Sequence, residues 1–360
     1  MGLKTGSKEK IDGGAMGMKK IMAVLLSVML VLTCLPVSVY ADNQTYDVWV
    51  NGVQFTEGNL TISCGEGQAF YDPEQAELIL ENATIDHTYR VDGFECGIYA
   101  ESDITVIFKG VSTIKAEENL SADGIYSNGN IVIKGENTND ETKLTIRVGN
   151  DAICTDNGSA TIEGDGNIDI NAGHDGILAG NGLTINQDGN VTIHAGSAGA
   201  SVGFADAIIS GLGKVNIQSE KACVTVSAGN IRFSNDGGVT LISSQDDAVC
   251  TEDGNVTLHG YAGITMNANR YGIFVANGDV ILTGERDVTI YGMVGSIALT
   301  GMDHKVYLNG RKNSIRFETD TDQKAVINLD SEESPVEGET FDMYQMTGSP
   351  ESNRVRFDPV

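Results

Sequence analysis

Five aspartates recur at one position of a repeated motif, and their type and spacing are the best candidates for chemistry in this sequence. Asp123, Asp151, Asp175, Asp206 and Asp247 each precede a Gly/Ala-Ile or Ala-Val pair. Stacked one strand spacing apart, about 4.8 Å, two carboxylates repel by roughly 1 kcal/mol in water and more at lower dielectric. Raised pKa values, hydrogen bonds from backbone N–H groups or a bound cation relieve that repulsion. Calcium suits the last case, because it takes six to eight oxygens in loose geometry. The candidate metal set is therefore Asp123, Asp151, Asp175, Asp206 and Asp247 with Asp246, and Asp156, Asp165 and Asp188 lie in neighbouring turns. Asp123, Asp151, Asp175 and Asp206 are also candidate ligand contacts. The opposing reading is that each aspartate bonds the backbone of its own turn.

A second recurrent position holds Tyr99, Tyr126, Cys154, Leu178, Ile209, Cys250 and Phe274. Tyr99 and Tyr126 are candidate platforms for sugar rings, whereas the aliphatic members of the column argue for buried packing. His174 borders the acidic column, and His194 and His259 occupy equivalent outward sites of Val-Thr-Ile-His and Val-Thr-Leu-His. No Gly-x-Ser-x-Gly, His-Glu-x-x-His, phosphate loop or complete EF-hand loop is present. No catalytic residue is assigned. A lyase on uronate polymers would need a basic residue beside a cation, and arginine is scarce: Arg147, Arg232 and Arg270 lie in the repeat zone. Nothing singles out the facing carboxylate pair that glycoside hydrolysis requires.

The elements that must position these residues are short strands. Asp123-Gly-Ile-Tyr-Ser-Asn-Gly-Asn-Ile-Val-Ile, Asp151-Ala-Ile-Cys-Thr-Asp-Asn-Gly-Ser-Ala-Thr-Ile and Asp247-Ala-Val-Cys-Thr-Glu-Asp-Gly-Asn-Val-Thr-Leu share one frame. Second alternating runs such as Asn167-Ile-Asp-Ile-Asn and Asn190-Val-Thr-Ile-His lie between the copies. Alternation of apolar with polar residues, rich in Ile, Val and Thr, is the strand pattern. The intervals are 28 residues from Gly124 to Ala152, 24 to Gly176 and 31 to Ala207. They are too short for propeller blades of roughly 40 residues and fit three strands per turn. The predicted fold is all-β, a right-handed single-stranded parallel β-helix, with a β-sandwich or barrel as the alternative. The pairs Asn128-Gly129, Asn157-Gly158, Asn181-Gly182, Asp253-Gly254 and Asn277-Gly278 predict one corner in which glycine supplies positive φ.

The organisation read from the chain is a leader at 1–41, an N-terminal β cap at 42–95, β-helix repeats at 96–302, and C-terminal strands with a polar tail at 303–360. The leader carries Lys19-Lys20, an apolar run from Ile21 to Leu35 and small residues near Ala41. That is the order of a secretory signal, with an apolar run too short to span a bilayer. The formal charge is −27, and the leader holds five Lys and two acidic residues, so the remainder carries about −30. This balance argues against nucleic acid or anionic membrane as partner and favours cations. Trp49, the single tryptophan, is expected inside the cap, and Ser331 to Thr340 as an acidic loop. Five cysteines follow the leader, widely spread and without C-x-x-C. They make neither a disulfide framework nor a zinc site, although Cys64 and Cys96 are near enough in the chain to pair.

The repeat, seen in full at Asn167-Ile-Asp-Ile-Asn-Ala-Gly-His-Asp-Gly-Ile177, resembles a family of secreted clostridial carbohydrate-binding β-helix proteins. The segment Tyr71-Asp-Pro-Glu-Gln-Ala-Glu-Leu-Ile-Leu-Glu-Asn-Ala-Thr-Ile85 is similar to the leading segment of related surface proteins of Gram-positive anaerobes. The resemblance implies a non-catalytic binder of acidic, pectin-like polysaccharide that uses calcium at the matching aspartates; a secreted or cell-surface location and a monomer are further expectations. The sequence departs from the pattern at Cys96, at Lys221 to Cys223 and at Arg270. The alternatives are a uronate lyase and a surface adhesin or scaffold.

Overall fold

The computed structural model describes residues 44–359 apart from 92, 117–120, 137–140, 286, 309–313, 321–323, 332–335, 338–343 and 348–352. The expected leader lies outside the described residues, as do most residues of the acidic loop at Ser331 to Thr340. Val336–Glu337, within that loop, is a short strand.

Every described element is a β-strand, and no helix among the described residues is long and apolar enough to cross a membrane. The strands form three sheets of 13, 13 and 12 members. Chain order visits a first, a second and a third face in rotation. Phe94–Ala100, Ile104–Lys109 and Val111–Ala116 make one turn, and Ala122–Ser127, Ile131–Gly135 and Lys143–Val148 stack on it in parallel. About nine such turns follow one another. The chain is a parallel β-helix.

Alternation explains the stacking. On the third face Ile114, Ile146, Ile170, Ile193 and Ile217 stand in register and are fully buried. Ile98, Ile125, Ile153 and Ile177 do the same on the first face. Each buried side chain of this size stabilises the coil by roughly 1.5–3 kcal/mol, and a one-residue slip would turn the column outward.

The expected boundaries shift at both ends. Parallel stacking begins inside the expected cap, where Glu77–Glu81 pairs with Ile104–Lys109. Before it, Thr61–Cys64, Gly67–Asp72 and Glu77–Glu81 form an antiparallel meander, and Thr45–Val50 lies antiparallel to Phe94–Ala100. Trp49 packs in this cap, stacked on Tyr89 at 4.5 Å. At the other end Val306–Leu308 and Val326–Asn328 still stack in parallel, and Arg354–Pro359 followed by Tyr344–Thr347 extends the third face antiparallel.

Three sequence expectations are corrected. All five cysteines of the described chain are free, so Cys64 and Cys96 do not pair. Asn181-Gly182 stands one residue out of step with Asn157-Gly158, because Leu183 pairs with Ala160. Positive φ is also not what demands glycine at 158. A Cβ there would lie 2.1 Å from the carbonyl oxygen of Gly129 one turn below, whereas at Gly182 the nearest atom is 3.3 Å away.

Candidate functional site

The corner between the third and first faces carries four of the five aspartates. Pairing of Ile125 with Ile153 and of Ile153 with Ile177 places Asp123, Asp151 and Asp175 on successive turns. The next two turns carry Ala198 and Ala222 in that position, and Asp247 resumes it. Asp206 does not belong here. Ala207 pairs with Leu183 and Ile231, which sets Asp206 at the corner between the first and second faces, below Asn230. The true copy in that turn is Ala198-Gly199-Ala200; Asp206-Ala-Ile imitates the frame from another corner. The interval of 31 residues therefore shortens to 23, from Asp175 to Ala198. Ile209 moves with Asp206 into the core, and Ser201 takes its place in the outward column. Asp165 and Asp188 lie at the third corner, where Asp188 accepts the Leu212 N–H. His194 is on the third face, whereas His259 follows a strand of the second.

Each aspartate of the column accepts a backbone N–H from the turn that follows. Asp123 Oδ1 takes the N–H of Asp151 at 3.1 Å, Asp151 Oδ1 that of Asp175 at 2.8 Å, and Asp175 Oδ1 that of Ala198 at 2.9 Å. Asp247 does the same for Tyr271 at 2.9 Å. The Asx reading thus holds in a modified form: the bond reaches the next turn, not the aspartate's own. Asp206 plays that part at its own corner, taking the Asn230 N–H at 2.8 Å.

These carboxylates are buried, with Asp123, Asp151, Asp175 and Asp247 only 3–6% exposed. Burial pushes Asp123 and Asp247 up to about 6 against the hydrogen bonds that oppose it, and also raises Asp151. At Asp247 the turn above supplies a countercharge: Arg270 Nη1 lies 2.7 Å from Asp246 Oδ1 and 3.6 Å from Asp247 Oδ2. Among the described residues no Lys or Arg makes an ion pair with Asp123, Asp151 or Asp175; His174 stands there instead. Its Nδ1 is 2.7 Å from Asp151 Oδ1 and 3.6 Å from Asp175 Oδ1. The Asp151 hydrogen bond, outweighing desolvation, raises the imidazole pKa.

The aromatic positions are largely enclosed. Tyr99 and Tyr126 are each 5% exposed, stack at 5.8 Å, and join Cys96 and Cys154 beneath Trp49, Tyr89 and Leu178. The Tyr126 hydroxyl lies 2.9 Å from acceptor oxygens of both Asp156 and Asn128 and has one proton to donate between them. Packing is what this column does at its leading end.

A feature without a sequence signature lies beside the acidic corner. On the third face Asn171, His194, Gln218 and Ile242 stand in register on four successive turns. With Glu220 and Ser244 from the adjoining bend they line an open groove of about 420 Å³. Outward residues of a polar face are unrestrained by packing, so no recurrent spelling announces it.

Comparison with known proteins gives no match among family models, curated proteins or solved structures.

Proposed function

We propose that this chain is a secreted or cell-surface polysaccharide-binding protein without catalytic activity. The carrying observation is the groove along Asn171, His194 and Gln218. Amide and imidazole groups repeat there at the strand spacing, about 4.8 Å, on a rigid sheet. They offer a polymer a row of donors and acceptors for its hydroxyl groups, each able to use both roles. The resemblance of the repeat to secreted carbohydrate-binding β-helix proteins points the same way.

The sharper form of the proposal is an acidic, pectin-like ligand held with calcium. A protein carrying about −30 once the leader is removed repels a polyuronate unless cations stand between them. Those cations would be held by exposed groups such as Glu220 together with the sugar carboxylates.

Titration calorimetry of polygalacturonate and of a neutral glucan, each with calcium and with chelator, tests both levels. Binding to polygalacturonate in calcium alone supports the full proposal. Binding to the glucan alone supports the groove and removes the acidic ligand. Silence in all four conditions rejects the reading and leaves an adhesin or scaffold. Release of unsaturated uronate products, followed by their absorbance, would replace it with a lyase.

A further inference from the structure

We propose that Asp151, His174 and Asp175 form a site for a divalent transition-metal ion of the zinc, cobalt or nickel class. One carboxylate oxygen from each aspartate and one ring nitrogen of His174 all lie within 4.8 Å of one another. Bonds of about 2.0–2.1 Å to a tetrahedral ion set its donor atoms roughly 3.3–3.5 Å apart. The distances from Nδ1, 2.7 Å to Asp151 and 3.6 Å to Asp175, straddle that value. The ion takes the place of the proton now shared between Nδ1 and Asp151 Oδ1, and a small rotation of the imidazole, whose side chain is 53% exposed, opens the shorter edge.

Two further observations point to a cation here. The first is the density of buried negative charge. Asp123, Asp151 and Asp175 are buried on consecutive turns, and where an arginine answers Asp246 and Asp247 the group that faces Asp151 and Asp175 is the imidazole of His174. The second is preorganisation. The Asp175 N–H holds Asp151, the Ala198 N–H holds Asp175, and the His174 N–H donates to the Asn150 carbonyl at 3.2 Å. Backbone bonds therefore fix both carboxylates and the base of the imidazole before any ion arrives, as outer-shell bonds do around bound metals.

The donor set decides the class of ion. Calcium and magnesium prefer all-oxygen shells, with six or more ligands. An imidazole with two carboxylates suits zinc and its neighbours, and the exposed side of His174 leaves a coordination position open to solvent.

Calorimetry on the chelator-treated full chain at neutral pH, with zinc chloride and separately with calcium chloride, tests the site. No glycan is present, so the result is independent of polysaccharide binding. The expected result is one zinc equivalent bound at least about tenfold more tightly than calcium. His174→Gln and Asp175→Asn should each weaken zinc by about tenfold or more, and His174→Gln should keep the parent's circular-dichroism spectrum in chelator. His259→Gln, after a strand of the second face, should bind zinc as the parent does, and cobalt should give visible absorption that His174→Gln loses. Absence of zinc binding, equal affinity for calcium, or undiminished binding by His174→Gln overturns the proposal.

Discussion

Asp151 Oδ1 accepts from two directions: from His174 Nδ1 at 2.7 Å and from the backbone N–H of Asp175 at 2.8 Å. One oxygen thus joins two turns and also orients the half-exposed imidazole at the acidic corner. The same side chain serves folding and shapes the candidate site, which sets what each substitution should do.

Acidification should stabilise the chelator-treated protein. Asp123 and Asp247 are raised by burial to about 6, above the ordinary aspartate value of 3.8. The folded state therefore holds these protons more tightly than the unfolded chain. The contribution is fully present below about pH 4 and is lost as pH rises through 6. The raised His174 acts with the same sign, favouring the fold below its unfolded value of 6.5. A two-unit shift corresponds to on the order of 2–3 kcal/mol per aspartate. Melting midpoints should rise from pH 7 to pH 5; a midpoint that falls throughout this window would contradict the assignment.

Asp123→Asn should be neutral or stabilising at pH 7. The amide oxygen still accepts the Asp151 N–H and Asn150 Nδ2 that now bond Asp123 Oδ1, while the buried charge disappears. Asp123→Ala orphans both donors and should cost about 1–3 kcal/mol. Urea unfolding of the two variants separates charge from hydrogen bonding.

Gly158→Ala should destabilise more than Gly182→Ala. The first Cβ meets the Gly129 carbonyl at 2.1 Å, whereas the second finds 3.3 Å. Backbone cannot yield as a side chain does, so about 1–3 kcal/mol or more is expected at 158. Equal effects in thermal unfolding would mean that the two Asn-Gly pairs share one register after all.

Gln218→Ala and Asn171→Ala should weaken glycan binding by several-fold without changing the melting midpoint. Both are outward groove residues, and each loses about one net hydrogen bond of 0.5–1.5 kcal/mol. Calorimetry with the glycan that binds the parent reads this directly. An undiminished affinity in the double variant moves the binding surface elsewhere.

The cysteines should resist alkylation in the native state. Burial pushes Cys64 and Cys223 up to about 11 and Cys96 and Cys250 up to about 12, and raises Cys154 as well. Thiolate, the reactive form, is scarce at pH 8. Mass spectrometry after iodoacetamide should show slow modification until urea is added; rapid native labelling of Cys96 or Cys154 would show that their corner opens.

The coil is legible in the order of the residues. Alternation fixes which side of each strand faces inward, and a period near 24 residues returns Ile146, Ile170 and Ile193 to one column. Both facts are local, so they can be counted along the chain. So is the corner of Asp123, Asp151 and Asp175, whose copies follow without a break. Where a motif is imitated, membership of the column emerges from the folded stack. Asp206-Ala-Ile spells the repeat, yet Ala198-Gly-Ala occupies the slot, because registration is set by the burial of Ala200 beside Ile177 and Val224. The partners across turns were likewise illegible: that Asp151 meets His174 depends on a separation of 23 residues closing to 2.7 Å. The groove of Asn171, His194 and Gln218 was hidden for a related reason. Packing constrains inward residues to a recurrent type, whereas outward ones vary freely until stacking brings them side by side.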